Sequence, residues 1–260
     1  MLTRVVTAVA LLPLLVGVII LGNGWVFGVF LALLTGIALV EYFHMAFGDR
    51  QGLQVIGVVS GLVVACPMLL APGIPSPSIL ALTFTALCVV FLFARSDLHE
   101  RYHQLGVTLT GVLYLGYLLP HYGLLYREGE EWVLWILAVV FAGDSLAYFV
   151  GRAVGRRRLC PEISPGKTVA GAVGFLIGSV AAGGLAGYWL LNVPWAHLVV
   201  LSIVVSVLGQ VGDLFESWIK RTFAAKDSGF LIPGHGGLMD RLDSLIFPGV
   251  VSSYYVRLLN

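Results

Sequence analysis

Charged residues make up only 11% of this 260-residue chain, and they are unevenly placed. The segment 212–244, GDLFESWIKRTFAAKDSGFLIPGHGGLMDRLDS, holds five carboxylates, four Lys or Arg and one His. A helix over 209–222 puts Asp213, Glu216, Ser217 and Lys220 on one face, at i, i+3, i+4 and i+7. Asp240 and Asp243 are again three apart, so a helical turn there points both the same way. Between the two groups lies Pro233-Gly234-His235-Gly236-Gly237, whose glycines let backbone N–H groups come close to an anion. Hard carboxylate oxygens that hold Mg²⁺ together with substrate phosphates, and Lys or Arg that neutralise the remaining phosphate charge, are what phosphoryl chemistry asks for. The alternative, an ordinary solvated loop, fits poorly with so many unlike charges abutting apolar stretches.

A second basic stretch, GRAVGRRRLCPEISPGKT, covers 151–168. Gly166-Lys167-Thr168 looks like the end of a Walker A loop, but Pro161 stands where the first glycine belongs and no strand is expected before it. Lys167, within Ser164-Pro165-Gly166-Lys167-Thr168 and next to a helix start, is the better phosphate ligand. The triple arginine 156–158 reads equally well as a topology signal. Glu41, beside His44 in an apolar run, is either functional or half of a buried structural pair.

The elements that must position these groups are membrane helices. With 58% hydrophobic residues, no soluble fold of this size could hide its apolar surface, so the solvent is lipid. The expected fold class is all-α, a polytopic integral membrane protein of about nine transmembrane helices. They are placed at 5–21, 25–46, 53–71, 78–94, 105–126, 132–151, 169–191, 195–216 and 245–258. The first is read as a retained helix, since no small-x-small cleavage site follows it. Residues 1–104 form N-terminal membrane helices, and 105–260 form the catalytic membrane region. Nine spans put thirteen Lys and Arg on the side of the N-terminus and of loops 151–168 and 217–244, and only Arg127 and Arg257 on the other. That bias makes the first side cytoplasmic. Two GxxxG steps, 174 to 178 and 183 to 187, predict close helix packing and no chemistry. Cys66, Cys88 and Cys160 have no metal or redox spacing. A net charge of +1 offers no general attraction to nucleic acid.

Taken together, the polar residues resemble a known signature. Ser217-Trp-Ile-Lys220-Arg221, four residues, Lys226-Asp227-x-Gly229, and then His235-Gly236-Gly237-Leu238-x-Asp240-Arg241-Leu242-Asp243 resembles that of the phosphatidate cytidylyltransferases, or CDP-diacylglycerol synthases. The likeness extends to Gly212-Asp213-Leu214, to Asp144 and to the Ser-Pro-x-Lys-Thr element. The resemblance implies an intramembrane, all-helical enzyme that joins CTP and phosphatidate into CDP-diacylglycerol and pyrophosphate. It implies Mg²⁺ as cofactor, with room for a K⁺ companion. Asp213 and Asp240 become the leading metal ligands, with Asp243 beside them. Asp213, Asp240, Lys220, Arg221, Lys226, His235 and Arg241 form the expected catalytic set. Asp144, Ser164, Lys167, Thr168, Ser217, Gly236 and Gly237 are the expected substrate contacts. The partners are CTP, phosphatidic acid and membrane lipid, without nucleic acid, and a homodimer is allowed for. The location is the cell (inner or plasma) membrane with the site facing the cytoplasm.

One position departs from the pattern. The family usually has Glu two residues after the Thr of Ser-Pro-x-Lys-Thr, where this chain has Ala170. This leaves open a divergent paralogue. Two other readings also stand. A CTP-dependent lipid kinase, such as a polyprenol or phytol kinase, would release CDP rather than pyrophosphate. An ion-coupled transporter would need broken, charged helices in matching halves, whereas here the charge gathers toward the C-terminal end. The charge split predicts that cysteines introduced into 151–168 or 217–244 resist an impermeant thiol reagent applied to intact cells and react once the membrane is opened. Labelling from outside would reverse the topology.

Overall fold

A computed structural model of the chain describes every residue except Met1, Pro72, Pro75, 230–235 and Asn260, and only the backbone of 2–11 and Leu259. Among the described residues, ten α-helices, one π-helical segment and one short hairpin form two compact units. The first unit is Met1–Leu124 with Asp227–Met239, and the second is Leu125–Lys226 with Asp240–Asn260.

The first unit contains α1 (Leu2–Leu21), α2 (Gly24–Phe47), α3 (Gln51–Leu70), α4 (Ser76–Leu92) and α5 (Leu98–Gly111). Asn23 caps α2, its side chain accepting from the N–H groups of Trp25 and Val26 at 3.0 and 2.9 Å, which satisfies donors that the first helical turn leaves free. Asp97 caps α5 in the same way, accepting from the Glu100 N–H at 2.9 Å. That bond holds the exposed Asp97 carboxyl below its ordinary range. The single span expected over 105–126 is instead three pieces. α5 passes into a π-helical segment, Val112–Leu118, then into a turn at Leu119-Pro120, and then into the short α6 (His121–Glu128). Pro120 has no N–H to continue a helical ladder, a break that apolarity alone conceals. Val64, Met68, Leu87, Phe91 and Val112 form a buried apolar cluster in this unit.

The second unit is built on α7 (Glu130–Val154), α8 (Val169–Leu190), α9 (Trp195–Thr222) and α10 (Met239–Leu259). α7 and α8 are joined through an antiparallel hairpin, β1 (Arg158–Cys160) and β2 (Ser164–Thr168), with Arg158 opposite Thr168. This stretch was expected as a loop. The glycines of α8 make the close packing that their spacing predicts. A Cβ on Gly178 would lie 2.7 Å from the Ala142 carbonyl oxygen on α7. The approach is fastened by Trp135, whose Nε1–H donates to the Gly183 carbonyl at 2.8 Å. On α9, a Cβ on Gly212 would lie 2.3 Å from the carbonyl oxygen of Asp243. The backbones of α9 and α10 therefore touch where the acidic residues lie.

Among the described residues, five helices are long and apolar enough to cross a membrane: α2, α3, α7, α8 and α9. Leu12–Leu21 and α4 are shorter apolar helices. Large apolar side chains point outward, among them Leu21, Phe93 and Trp189, at 87%, 78% and 77% exposure. Such a surface suits lipid and not water. The chain is thus helical and membrane-embedded, with five supported spans. Two ion pairs join loop-end residues within the units. Arg50 pairs with Glu100 in the first unit, and Arg257 pairs with Glu128 at 3.5 Å in the second.

The α9–α10 contact leaves no room for a methyl group. Gly212→Ala is expected to destabilise the protein by about 1–3 kcal/mol, the usual cost of overpacking. Gly106→Ala, on α5 with nothing within 4 Å of its Cβ, is expected to be neutral or mildly stabilising. Thermal unfolding of the two variants in detergent compares them.

Candidate active site

The second unit holds a cavity of about 710 Å³. The C-terminal half of α7, the hairpin, the start of α8 and the later half of α9 line it, through residues that include Asp144, Arg152, Lys167, Thr168, Gln210 and Asp213. Helices that alternate in direction bring the end of α7, the beginning of α8 and the end of α9 to one end of the unit. At about 1.5 Å per residue, the 28 residues of α9 extend roughly 42 Å, beyond a hydrocarbon core of about 30 Å. The length of α9 therefore lets its C-terminal charged turns reach the polar boundary.

The centre of the cavity is an ion pair. Lys167 Nζ lies 2.5 Å from Asp213 Oδ2, and each side chain is only about a quarter exposed, at 25% and 28%. Lys167 comes from β2, and the next residue, Thr168, caps α8 by accepting from the Gly171 N–H at 3.1 Å. The lysine thus stands at the positive end of a helix, where partial charges on free N–H groups favour an anion. Asp144, from α7, is repelled by Asp213 and attracted by Lys167 and Arg241. Across the cavity wall, Arg152 Nη1 donates to the Tyr148 hydroxyl at 2.8 Å.

A second charged group lies deeper. Lys220 Nζ is 2.5 Å from Glu216 Oε2 and 2.6 Å from Asp240 Oδ1. The Glu216 side chain is completely buried and that of Asp240 is 5% exposed. The i, i+4 step from Glu216 to Lys220 follows from the helix, whereas Asp240 arrives from α10. Asp243 accepts from the Ser244 N–H at 2.6 Å and interacts electrostatically with Asp213, Asp144 and Lys220. Asp243 so links the two groups.

The other expected residues are divided between the two units. Ser217 donates weakly to Asp213 Oδ1 at 3.5 Å. Arg221 donates to the carbonyls of Ala225 at 3.1 Å and Ile163 at 3.4 Å, so it braces α9 against the hairpin. Ser164 sits opposite Cys160 at the far end of the hairpin. Lys226 and Arg241 are exposed. Gly236 and Gly237 belong to the first unit. Gly236 has φ +81°, a left-handed conformation that favours glycine. A Cβ on Gly237 would lie 2.0 Å from Ser228 Oγ. His235 lies outside the described residues. Sequence reasoning assigned no site role to Arg152, Tyr148 or Gln210; it put Glu216 on the charged face without a specific role and left Arg158 equally explained by topology. The arginines were visible as basic residues, but their charge was equally explained by topology. Among the described residues no three acidic, His or Cys side chains converge closely enough to hold a metal by themselves.

The chain matches the model of the cytidylyltransferase family over residues 2–259. This chain belongs to that family. It is 35% identical over 254 residues to a phosphatidate cytidylyltransferase of Brucella suis, covering 94% of this chain and 88% of that protein. A phosphatidate cytidylyltransferase of Staphylococcus saprophyticus is 33% identical over 253 residues, with 95% and 94% covered. One from Synechocystis is 32% identical over 290 residues, with 98% and 96% covered. The family resemblance read from the C-terminal signature thus extends over the whole chain, including the first four helices.

Removing Lys220 leaves two carboxylates buried without their cation. Lys220→Met is expected to lower stability by about 3–5 kcal/mol and to abolish turnover. Adding Glu216→Gln to it is expected to restore part of the stability and none of the activity. Unfolding curves and turnover of the single and double variants separate the two effects.

Proposed function

We propose that this chain is a phosphatidate cytidylyltransferase of the cell (inner or plasma) membrane, converting CTP and phosphatidate to CDP-diacylglycerol and pyrophosphate. The observation that carries this reading is the Lys167–Asp213 pair in a cavity at one end of apolar helices. A water-soluble nucleotide and a phosphate on a lipid can meet there. The names of relatives that match the chain nearly end to end agree with it.

The reaction is an in-line displacement. A phosphate oxygen of phosphatidate forms a bond to the α-phosphorus of CTP, the bond from that phosphorus to the bridging oxygen breaks, and pyrophosphate leaves with that oxygen. The nucleophile needs little help from a base, because the second pKa of a phosphate monoester is about 6. The protein's work is positioning and charge stabilisation. Lys167 and the first-turn N–H groups of α8 hold phosphate oxygens, and Arg152 and Arg158 add positive charge along the wall. Lys220, held between Glu216 and Asp240, fixes the direction of the Asp240 carboxylate. Lys226 and Arg241 are free to follow the leaving pyrophosphate.

Mg²⁺ suits the donor set, which is hard oxygen. It binds commonly through one or two carboxylates plus water and substrate phosphates, so the lack of a three-residue cluster is no obstacle. Asp213 and Asp240 would hold it, with Asp243 beside them, and when bound it would neutralise charge developing on the phosphates. The charge split favours a catalytic region 105–260 that opens to the cytoplasm. Ala170, in the first turn of α8, leaves Lys167 without the carboxylate that the family pattern usually places there.

Purified protein given labelled CTP, phosphatidate and Mg²⁺ is expected to form a CDP-lipid and pyrophosphate. Release of CDP with a phosphorylated lipid would instead mark a kinase. Asp213→Asn is expected to cut turnover by about 100-fold or more while the protein still inserts, since oxygen-seeking Mg²⁺ loses an anionic ligand. Near-normal turnover at low Mg²⁺ would remove Asp213 from the site.

A further inference from the structure

Glu41 lies on α2, far in sequence from every residue of the signature, in an otherwise apolar helix. It is 9% exposed. Among the described residues its carboxylate accepts three hydrogen bonds, all from one loop. The Leu238 N–H donates to Oε1 at 2.9 Å, the Met239 N–H donates to Oε2 at 2.9 Å, and the Ser228 hydroxyl donates to Oε2 at 3.1 Å. These partners are 187 to 198 residues away along the chain. All belong to the first unit.

The loop is shaped around that carboxylate. Cβ atoms on Gly229 and Gly237 would lie 2.7 and 2.6 Å from its oxygens. Both arms of the loop, 228–229 and 237–239, therefore pass directly over Glu41, and a side chain at either glycine would push the carboxylate away. One side chain thus ties residues 228–229 to 237–239. The segment begins two residues after Lys226 and ends one residue before Asp240. Met239 opens α10, and Asp240 is in its first turn.

We propose that Glu41 is a positioning residue for catalysis, acting through the signature loop and not on substrate. This inference rests on the cytidylyltransferase reading. Two N–H groups at the start of a helix have no intrahelical acceptor, and without one the first turn frays. Glu41 supplies that acceptor from another helix, and its negative charge suits the positive end of α10. The first turn of α10 is then held in register, and with it the direction in which Asp240 leaves the backbone. The carboxylate has a specific advantage over any neutral group. It has two oxygens that only accept, and here each faces a backbone donor; a Gln must turn an NH₂ group toward one of them.

The test uses the full-length protein in detergent or vesicles, with Glu41→Gln, Glu41→Asp and Ser228→Ala compared with the unaltered chain. Steady-state kinetics with CTP and phosphatidate are read beside thermal unfolding and amide hydrogen exchange of 228–239. Losing charge-assisted buried bonds predicts a fall in kcat of about 10- to 100-fold for Glu41→Gln. KM for CTP is expected to stay within about threefold, because the interaction is made through transition-state geometry and not through binding. Exchange is expected to rise at Leu238 and Met239 and nowhere in α7 to α9. Glu41→Asp, one methylene short, is expected to keep part of kcat, and Ser228→Ala more of it.

Unchanged kcat in Glu41→Gln overturns the proposal. So does a raised CTP KM with unchanged kcat, which would put Glu41 on substrate binding. If Glu41→Gln does not accumulate as folded protein, Ser228→Ala and Glu41→Asp decide: full kcat in both makes Glu41 purely structural and overturns the proposal. If the unaltered protein forms no CDP-lipid, the functional reading fails and the catalytic proposal with it. The exchange data then still tell whether the clamp on the loop exists.

Discussion

A lysine ammonium among apolar helices is tolerable only when carboxylates surround it, and buried carboxylates are tolerable only when a cation reaches them. Lys220, Glu216 and Asp240 meet this condition together. Taking such charges out of water costs several kcal/mol each unless the partners are in place. Helix α9 must therefore present Lys220 where α10 presents Asp240. The glycine at 212 follows from the same requirement, because only a residue without a Cβ lets the α10 backbone come that close. The membrane makes the condition strict: a side chain that misses its partner there has no water to turn to.

The cavity above this pair shows a different balance. Lys167 and Asp213 are partly exposed, so their attraction is screened more and their geometry is easier to rearrange. A phosphate can compete for Lys167 at modest cost, and a metal can compete for Asp213. The buried group is thus the more tightly held of the two.

Much of this was legible along the chain because helix periodicity is local. The spacing of Asp213, Glu216, Ser217 and Lys220 needs only a helix to put them on one face, and 195–222 is a helix. The start of α8 directly after Lys167 was likewise readable, since Thr is a good cap. The single span at 105–126 was misread because hydropathy averages over a turn, and it does not register that Pro120 and a π-helical segment interrupt the ladder. The hairpin at 158–168 was missed because three to five residues of strand carry too little periodicity to be distinguished from a loop.

The sequence by itself determined that the chain lives in lipid, which residues could do chemistry, and which ends of the helices are expected to share a side. These follow from composition, from i, i+3 and i+4 spacing, and from the distribution of Lys and Arg, none of which needs a contact between distant segments. Tertiary structure alone decided the partners. It chose Asp240 and Glu216 for Lys220, Asp213 for Lys167, and the base of the signature loop for Glu41. Several carboxylates in the chain were equally eligible for each cation by type and charge. The choice among them rests on distances of a few ångströms between helix backbones, and those are set by packing, through residues such as Gly178 and Gly212 that carry no charge.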